Sequence, residues 1–285
     1  MRPQIALDIV LQQASVLLGE SLADGRAAER GADHLVVFAV VPTLGNVAIK
    51  VGEDAATDAH VLDRLRNLPI RIPQLLAQGT IEAAGQQYPV AIMTYIEGVD
   101  LAAVAEPHRY LPMLIKQMRC VHQLSMIGGA GTVRDVMQGN APADWKGYLQ
   151  RILSGDEPEF DWERLCADPL IDASVLRGTL AALRDAIPLL PETEQHYLLH
   201  GDLNPYNILV DGDQIAGIID WIYARYGDPL FDFARLRMNP FVRNSVVATE
   251  AYFTLLGLGA DERIREAFYF RFNVVEYVNW YMQSG

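Results

Sequence analysis

His200-Gly201-Asp202-Leu203-Asn204-Pro205-Tyr206-Asn207 is followed at once by the apolar run Ile208-Leu209-Val210, a turn at Asp211-Gly212, and a second apolar run from Ile215 that ends at Asp220-Trp221. Gly, Asn, Asp and Pro are turn formers, so the octapeptide reads as a tight loop. The two apolar runs around Asp211-Gly212 read as the strands of a hairpin that the loop opens. Hairpin strands run back on each other, so Asp220 returns toward the loop that holds Asp202 and Asn207. Two carboxylates and a carboxamide then converge on one small space.

That grouping suits phosphoryl transfer. Magnesium is a hard cation that takes oxygen ligands, typically one or two carboxylates together with phosphate oxygens. Asn207 and Asp220 are the candidate metal ligands. Asp202 is the candidate catalytic base, placed to accept the proton of an attacking hydroxyl. Any one of these residues alone would be an ordinary turn former. The whole string, with the Asp and Asn spacing of a kinase catalytic loop and an acid at the end of the next strand, is a far more specific pattern.

Upstream, the apolar runs His34 to Val41 and Asn46 to Val51 flank Pro42-Thr43-Leu44-Gly45 and predict another hairpin. Its second strand carries Val47-Ala48-Ile49-Lys50. Beside a phosphoryl-transfer loop, a strand lysine of this kind pairs with nucleotide phosphates and is held by an acid on the following helix. An opening amphipathic helix (Ile5, Ile9, Leu11, Val16 to Leu18) precedes the hairpin, and Ala23 to Asp33 is a polar stretch between them. Helical spacing recurs from Ala55 to Leu68, where Leu68-Pro69 ends it. Tyr88 to Ile96 is β-rich. Beyond Gly98 the texture turns helical, over Tyr110 to Leu124, Asp144 to Leu153, Ser174 to Leu189 and Glu262 to Met282, around the β-rich island Tyr197 to Trp221. The expected fold is α+β and bilobal: a small N-terminal sheet lobe with one helix (1–97) for nucleotide, and a larger, mainly helical lobe (98–285) for catalysis and acceptor binding. A ligand site is expected in the cleft between lobes.

These motifs resemble the aminoglycoside phosphotransferase and choline kinase superfamily, relatives of protein kinases. The resemblance implies a protein-kinase-like fold, with His-Gly-Asp-Leu-Asn-Pro-Tyr-Asn as the catalytic loop and Ile218-Ile219-Asp220-Trp221 as the second metal-binding motif. It implies Asp58 as the acid that holds Lys50, with Glu53 as the second candidate. Gly227-Asp228-Pro229, Asp232 and Ala234 also follow the superfamily pattern, and the two acids are expected to brace the catalytic loop. The phosphate-covering loop falls between Glu29 and His34, where Gly31 is the only glycine; it is either that loop or a surface turn. Met93-Thr94-Tyr95-Ile96 takes the hinge position, where the backbone of Thr94 and Ile96 would read the adenine edge and apolar side chains such as Met93 would sandwich the ring. The same segment also reads as a core strand. The cofactors implied are ATP (or GTP) and Mg2+.

Within the superfamily the chain most resembles hygromycin B phosphotransferases, from about Gly31 to the C-terminus. This implies a small-molecule hydroxyl acceptor, an aminoglycoside first and another alcohol (macrolide, sugar, choline or homoserine) second, with antibiotic resistance as the role in the first case. A nucleotide-binding pseudokinase is a third reading. Candidate acceptor residues are Asn204, Asn239, Phe241 and Glu276, the last near Tyr277 and Trp280 on a terminal helix whose aromatics also suit core packing. The acidic run Asp156, Glu157, Glu159, Asp161 and Glu163 either meets a cationic acceptor or is a solvated loop.

The formal net charge of −13 disfavours a nucleic-acid partner and attracts cations, or serves solubility alone. No Walker-type phosphate loop, dinucleotide fingerprint, His-Glu-x-x-His or Gly-x-Ser-x-Gly occurs. The N-terminus lacks a secretory pattern and the apolar run Leu35 to Val41 is too short to cross a bilayer. Cys120 and Cys166 have no metal-ligand spacing and read as free thiols. The expectation is a cytoplasmic protein, monomeric or homodimeric, with no membrane partner.

Overall fold

The computed structural model describes residues 3–28, 34–157 and 159–284. By backbone proximity the chain falls into two compact units, Met1–Val104 with Tyr206–Ile222, and Ala105–Pro205 with Tyr223–Gly285. In chain order the first unit holds α1 (Leu7–Leu18), β1 (Ala23–Ala27), β2 (Leu35–Val41), β3 (Gly45–Val51), α2 (Glu53–Leu65), β4 (Leu75–Ala83), β5 (Gln86–Thr94) and β6 (Val99–Asp100). The second unit follows with α3 (Leu111–Val121), β7 (Ser125–Ile127), β8 (Gly131–Thr132), α4 (Val133–Gln138), α5 (Trp145–Ser154), α6 (Trp162–Cys166), α7 (Ala173–Ala186) and β9 (Gln195–Leu199). The chain re-enters the first unit for β10 (Ile208–Asp211) and β11 (Gln214–Ile218). It ends in the second with β12 (Arg225–Gly227), α8 (Leu230–Met238), α9 (Pro240–Arg243), α10 (Val246–Leu256) and α11 (Ala260–Ser284).

The first unit is built on an antiparallel sheet in the order β1-β2-β3-β5-β4. One face is apolar and dry: Val37, Ala39, Val41, Val47, Ile49, Val51, Val90 and Ile92 pack with Val10 and Ala14 of α1. Each valine and isoleucine among them stabilises the fold by about 1.5–3 kcal/mol when fully buried. Side chains alternate across a strand, so the intervening residues face the other way. There Val36, Lys50 and Ala91 are direct cross-strand partners, as are Phe38, Ala48 and Met93. The period of two thus sends Lys50 out of the core onto a mostly apolar second face.

Two strands of this sheet were not legible in the sequence. β1 lies in the stretch read as polar, and β4 in a segment given no element. Both are at the edges of the sheet, where polar side chains are tolerated and guard against unwanted pairing. A second small sheet, β11-β10-β6, contains the hairpin that follows the His200–Asn207 loop, with Asp100 opposite Leu209 and Val99 opposite Val210. The sequence reading divides the chain at 97/98. Backbone proximity keeps 98–104 and 206–222 with the first unit, because β6 hydrogen-bonds to β10.

The second unit is mainly helical around a sheet in the order β7-β9-β12-β8. Side-chain caps start several helices: Asp144 accepts the Gly147 N–H (2.7 Å) before α5, and Asp172 accepts those of Ser174 and Val175 before α7. The core is aromatic. Trp145 stacks on Tyr148 at 5.1 Å, meets Phe231 edge-on at 5.7 Å, and donates Nε1–H to the Tyr269 hydroxyl at 2.9 Å. On α11, Phe268, Tyr269 and Phe272 are buried, whereas Tyr277 and Trp280 are half-exposed and stack on each other. Cys120 and Cys166 are free thiols. Among the described residues no helix is long and apolar enough to cross a membrane.

Candidate active site

In the first unit, β3 delivers Lys50 to two carboxylates. Its ammonium pairs with Asp58 Oδ2 and with Asp220 Oδ1, the latter at 2.8 Å. Lys50 and Asp58 are buried. The other Asp58 oxygen accepts the Trp221 N–H at 2.8 Å. Asp58 therefore ties the lysine strand to the segment that follows the hairpin. Of the two acids considered in the sequence, this one holds Lys50. An aspartate is long enough because α2 begins at Glu53, two residues after β3 ends. Burial alone would lower the Lys50 pKa, but the negative charges of Asp58 and Asp220 outweigh it and the ammonium form is held well above its ordinary range.

Asp220 has φ = +66°, in the left-handed region. A non-glycine residue there is strained by about 1–3 kcal/mol and persists only where its surroundings fix it. The fixing contacts lie on both sides: Ile219 donates its N–H to the Asn207 carbonyl at 2.9 Å, and Trp221 donates to Asp58. The first of these joins the two ends of the β10–β11 hairpin, so Asn207 and Asp220 meet at its root. Lys50, Asp58 and Asp220 thus form one cluster, with the Asn207 main chain one residue away at the hairpin root. The donor set of Asn207 and Asp220, a carboxamide and a carboxylate, fits a hard oxygen-seeking cation whose remaining ligands come from phosphate. Among the described residues there is no group of three His, Cys, Asp or Glu that could cage a metal without such help.

Asp202 lies in the second unit, five residues before Asn207. The loop main chain is braced by Asp232, which is fully buried and accepts the N–H groups of His200 (2.8 Å) and Gly201 (2.9 Å), with His122 Nε2 at 2.9 Å. Burial works to raise the Asp232 pKa, but the hydrogen bond and charge of His122, then His200 and the Gly201 N–H, bring it below the ordinary value. Gly201 has φ = +80°, and a Cβ there would sit 1.9 Å from the Tyr223 carbonyl oxygen, so only glycine fits. The Asp202 carboxylate receives Arg235 on Oδ1 (2.7 Å) and Asn204 Nδ2–H on Oδ2 (2.7 Å). Asp228 departs from expectation. It accepts the Leu230 N–H and the Tyr269 hydroxyl, each at 3.0 Å, and pairs with Arg265 at 3.0 Å. Its carboxylate is thereby spent on α8 and α11, while Asp232 takes the loop.

The hinge segment is the end of β5. Thr94 donates its N–H to Gln74 O (3.0 Å), Tyr95 donates to Asn46 O (3.1 Å), and Met93 is buried. The Ile96 side chain lies over Gly217 of β11, where a Cβ would come within 2.3 Å of Ile96 Cδ1. A cavity of about 520 Å3 beside this segment is lined by Arg26, Phe38, Asn46, Tyr95 and Glu97 among others. Gly31, the expected phosphate-loop glycine, lies outside the described residues. His34 at the end of that loop is 3.9 Å from Asp54.

Three of the four acceptor candidates are already engaged. Asn204 holds Asp202. Asn239 is buried and donates Nδ2–H to the Leu203 (3.2 Å) and Leu236 (3.0 Å) carbonyls. Phe241 is half-buried in the short α9. The Glu276 carboxylate is paired with Arg225 at 2.9 Å. In the acidic run, Glu157 pairs with Arg151, Glu163 with Arg177 at 2.7 Å, Asp156 accepts from Ser154, and Asp161 caps α6. Arg235 and Arg225 were missed in the sequence, which contains no local signal for either.

The sequence profile of the phosphotransferase enzyme family (APH) matches residues 24–267. The chain belongs to this family. The match to the phosphotransferase family takes in both clusters and stops short of Glu276, Tyr277 and Trp280. Among curated relatives, the protein YcbJ of Bacillus subtilis is 29% identical over 225 residues, covering 72% of this chain and 67% of that one. A homoserine kinase of Methylocella silvestris is 28% identical over 61% of this chain and 49% of its own length. Hygromycin-B 4-O-kinase of Escherichia coli is 24% identical over 63% of this chain and 51% of its own length. The match thus spans about half the length of these two kinases. Among solved structures, a thermostable mutant of the aminoglycoside phosphotransferase APH(4)-Ia superposes with a TM-score of 0.67 at 20% identity, over 95% of this chain and 89% of that one. That likeness establishes the expected fold, kinase-like and α+β.

Proposed function

We propose that this phosphotransferase-family protein moves the γ-phosphate of ATP (or GTP), with Mg2+, to a hydroxyl of a small molecule. The observation that carries the proposal is the buried Lys50 ammonium between Asp58 and a left-handed Asp220, at the root of the hairpin that Asn207 opens. Lys50 binds nucleotide phosphates, and Asp58 keeps its ammonium aimed. Asn207 and Asp220 would hold Mg2+, which when bound neutralises charge on the phosphate oxygens. With phosphate on Lys50, the Asp220 oxygen that the lysine now occupies would be available to help hold Mg2+.

The sheet face of Val36, Phe38, Ala48 and Met93 receives the base, with the Thr94 carbonyl and Ile96 at its edge. Asn46, beside the cavity, is four strand residues from Lys50, about 13 Å, which suits the length of an extended nucleoside triphosphate. Gly31 keeps the proposed role of covering the phosphates. Asp202 accepts the hydroxyl proton. It is five positions from Asn207 in the chain, which limits the two Cα atoms to at most about 18 Å apart. The first unit thus binds nucleotide, and the second supplies base and acceptor site. The place of action would be the cytoplasm, where ATP is supplied.

The first acceptor reading is a hygromycin-like aminoglycoside, with resistance as its consequence. The hygromycin kinase relative and the −13 charge support it. One observation favours the second reading, an acceptor with less positive charge such as homoserine or a sugar. Glu276, Glu157 and Glu163, which were to meet a polycation, are each paired with an arginine, and a homoserine kinase is among the relatives. ADP release should be measured with Mg–ATP and a panel of hygromycin B, spectinomycin, homoserine, choline and sugars. Asp202→Asn should still fold, with a lowered Tm because Arg235 loses its carboxylate partner, and lose at least about 100-fold in turnover. Undiminished turnover ends the base assignment. Nucleotide binding without transfer to any acceptor by wild type favours a pseudokinase.

A further inference from the structure

The main chain around Asp202 is fixed by Asp232 and by the Asp202 N–H donating to His200 Nδ1 at 3.2 Å. What remains adjustable is the carboxylate itself, through two side-chain torsions. Both of its oxygens are claimed. Arg235 on α8 donates Nη2–H (2.7 Å) and Nε–H (3.3 Å) to Oδ1, and Asn204 takes Oδ2. The guanidinium is held in turn from α11: its Nη1–H reaches the Asn273 carbonyl at 3.5 Å, and its carbon lies 5.5 Å from the centre of the Tyr277 ring. The side chains of Arg235 and Asp202 are only 13% and 16% exposed.

An ion pair this shielded adds little net stability, since desolvation offsets most of the attraction. Its worth lies in aim. A planar guanidinium braced at both ends fixes a carboxylate's direction in a way a lysine's point charge does not.

We propose that Arg235 is the positioning residue of the base: braced by Asn273 and Tyr277, it sets the direction in which the Asp202 carboxylate meets the acceptor hydroxyl. The inference rests on the reading of Asp202 as base. A misplacement of about 1 Å at such a group lowers the rate on the order of 100-fold.

The test is steady-state ADP release from Mg–ATP by the full chain, with hygromycin B, homoserine or water as phosphoryl acceptor. Wild type, Arg235→Ala, Arg235→Lys and Asp202→Asn are compared. Arg235→Ala should lower kcat about 10- to 100-fold and leave the KM for ATP within about twofold, because the nucleotide cluster is in the other unit. Arg235→Lys should fall between, and millimolar guanidinium should raise the rate of Arg235→Ala alone, with saturation. A wild-type kcat in Arg235→Ala, or a loss confined to the acceptor KM, overturns the inference; the latter would make Arg235 an acceptor-binding group. Should Arg235→Ala fail to fold, Arg235→Lys and Tyr277→Leu decide, each expected to lower kcat without raising the KM for ATP. Wild-type turnover in Asp202→Asn would sink the base reading itself. An inactive Asp202→Asn beside a fully active Arg235→Ala would sink only the positioning role.

Discussion

Replacing Asp58 by alanine probes the joint on which the Lys50 cluster depends. The change removes one of the two carboxylates that face the buried Lys50 ammonium and leaves the Trp221 N–H without its acceptor. Breaking a buried ion pair from one side destabilises by about 3–5 kcal/mol, and an orphaned buried donor costs about 1–3 kcal/mol. The two losses share one side chain and do not add fully, and Asp220 still pairs with the lysine at 2.8 Å. The expected net loss is therefore about 3 kcal/mol. At about 2–4 °C per kcal/mol for a chain of this size, Tm should fall by roughly 6–12 °C. Because Trp221 N–H and Ile219 N–H together fix the left-handed Asp220, nucleotide should also protect the variant less. Thermal unfolding with and without Mg–ATP measures both effects. A Tm drop below about 2 °C with full protection by nucleotide would refute the idea that Asp58 joins Lys50 to the post-hairpin segment.

Gly201→Ala places a methyl 1.9 Å from the Tyr223 carbonyl at φ = +80°; a loss of more than about 2 kcal/mol is expected in denaturant unfolding, with catalytic activity gone. Asp232 binds its proton more weakly folded than unfolded, where the ordinary value is 3.8. Its contribution is present above that pH and fades as pH falls through the lower folded value. Asp232→Asn should be clearly less stable than wild type at pH 7, and the gap should narrow below pH 3.8 in pH-dependent melts; a constant gap argues against the reading. Arg225→Met strands the Glu276 carboxylate, and a loss of about 3–5 kcal/mol is expected. The double variant Arg225→Met with Glu276→Leu should regain much of it in a double-mutant cycle, and no recovery would mean the pair does not act as a unit.

The loop from His200 to Asn207, the hairpin behind it and the strand bearing Lys50 were all readable, because turn formers and a period-two pattern act through neighbours in the chain. The main helices were readable for the same reason: α5, expected over 144–153, runs Trp145–Ser154. The edge strands β1 and β4 were not, since an edge accepts polar residues that look like loop. Partner choice among charges was largely beyond the sequence. The resemblance, not charge or spacing, had put Asp58 ahead of Glu53 as the partner of Lys50, and only folding showed that Asp228 serves α8 and α11 instead of the loop that holds Asp202.

By itself the sequence pointed to the fold, through motifs that resemble a known superfamily, and nominated the side chains proposed for phosphoryl transfer, because those motifs rest on spacings of a few residues. The tertiary structure alone decided how the charges are paired. Lys50 meets Asp220 across 170 positions, Arg235 meets Asp202 across 33, and Glu276 is taken by Arg225 across 51. A buried charge must find a partner, but which one it finds is set by the packing of distant segments, and no local pattern records that.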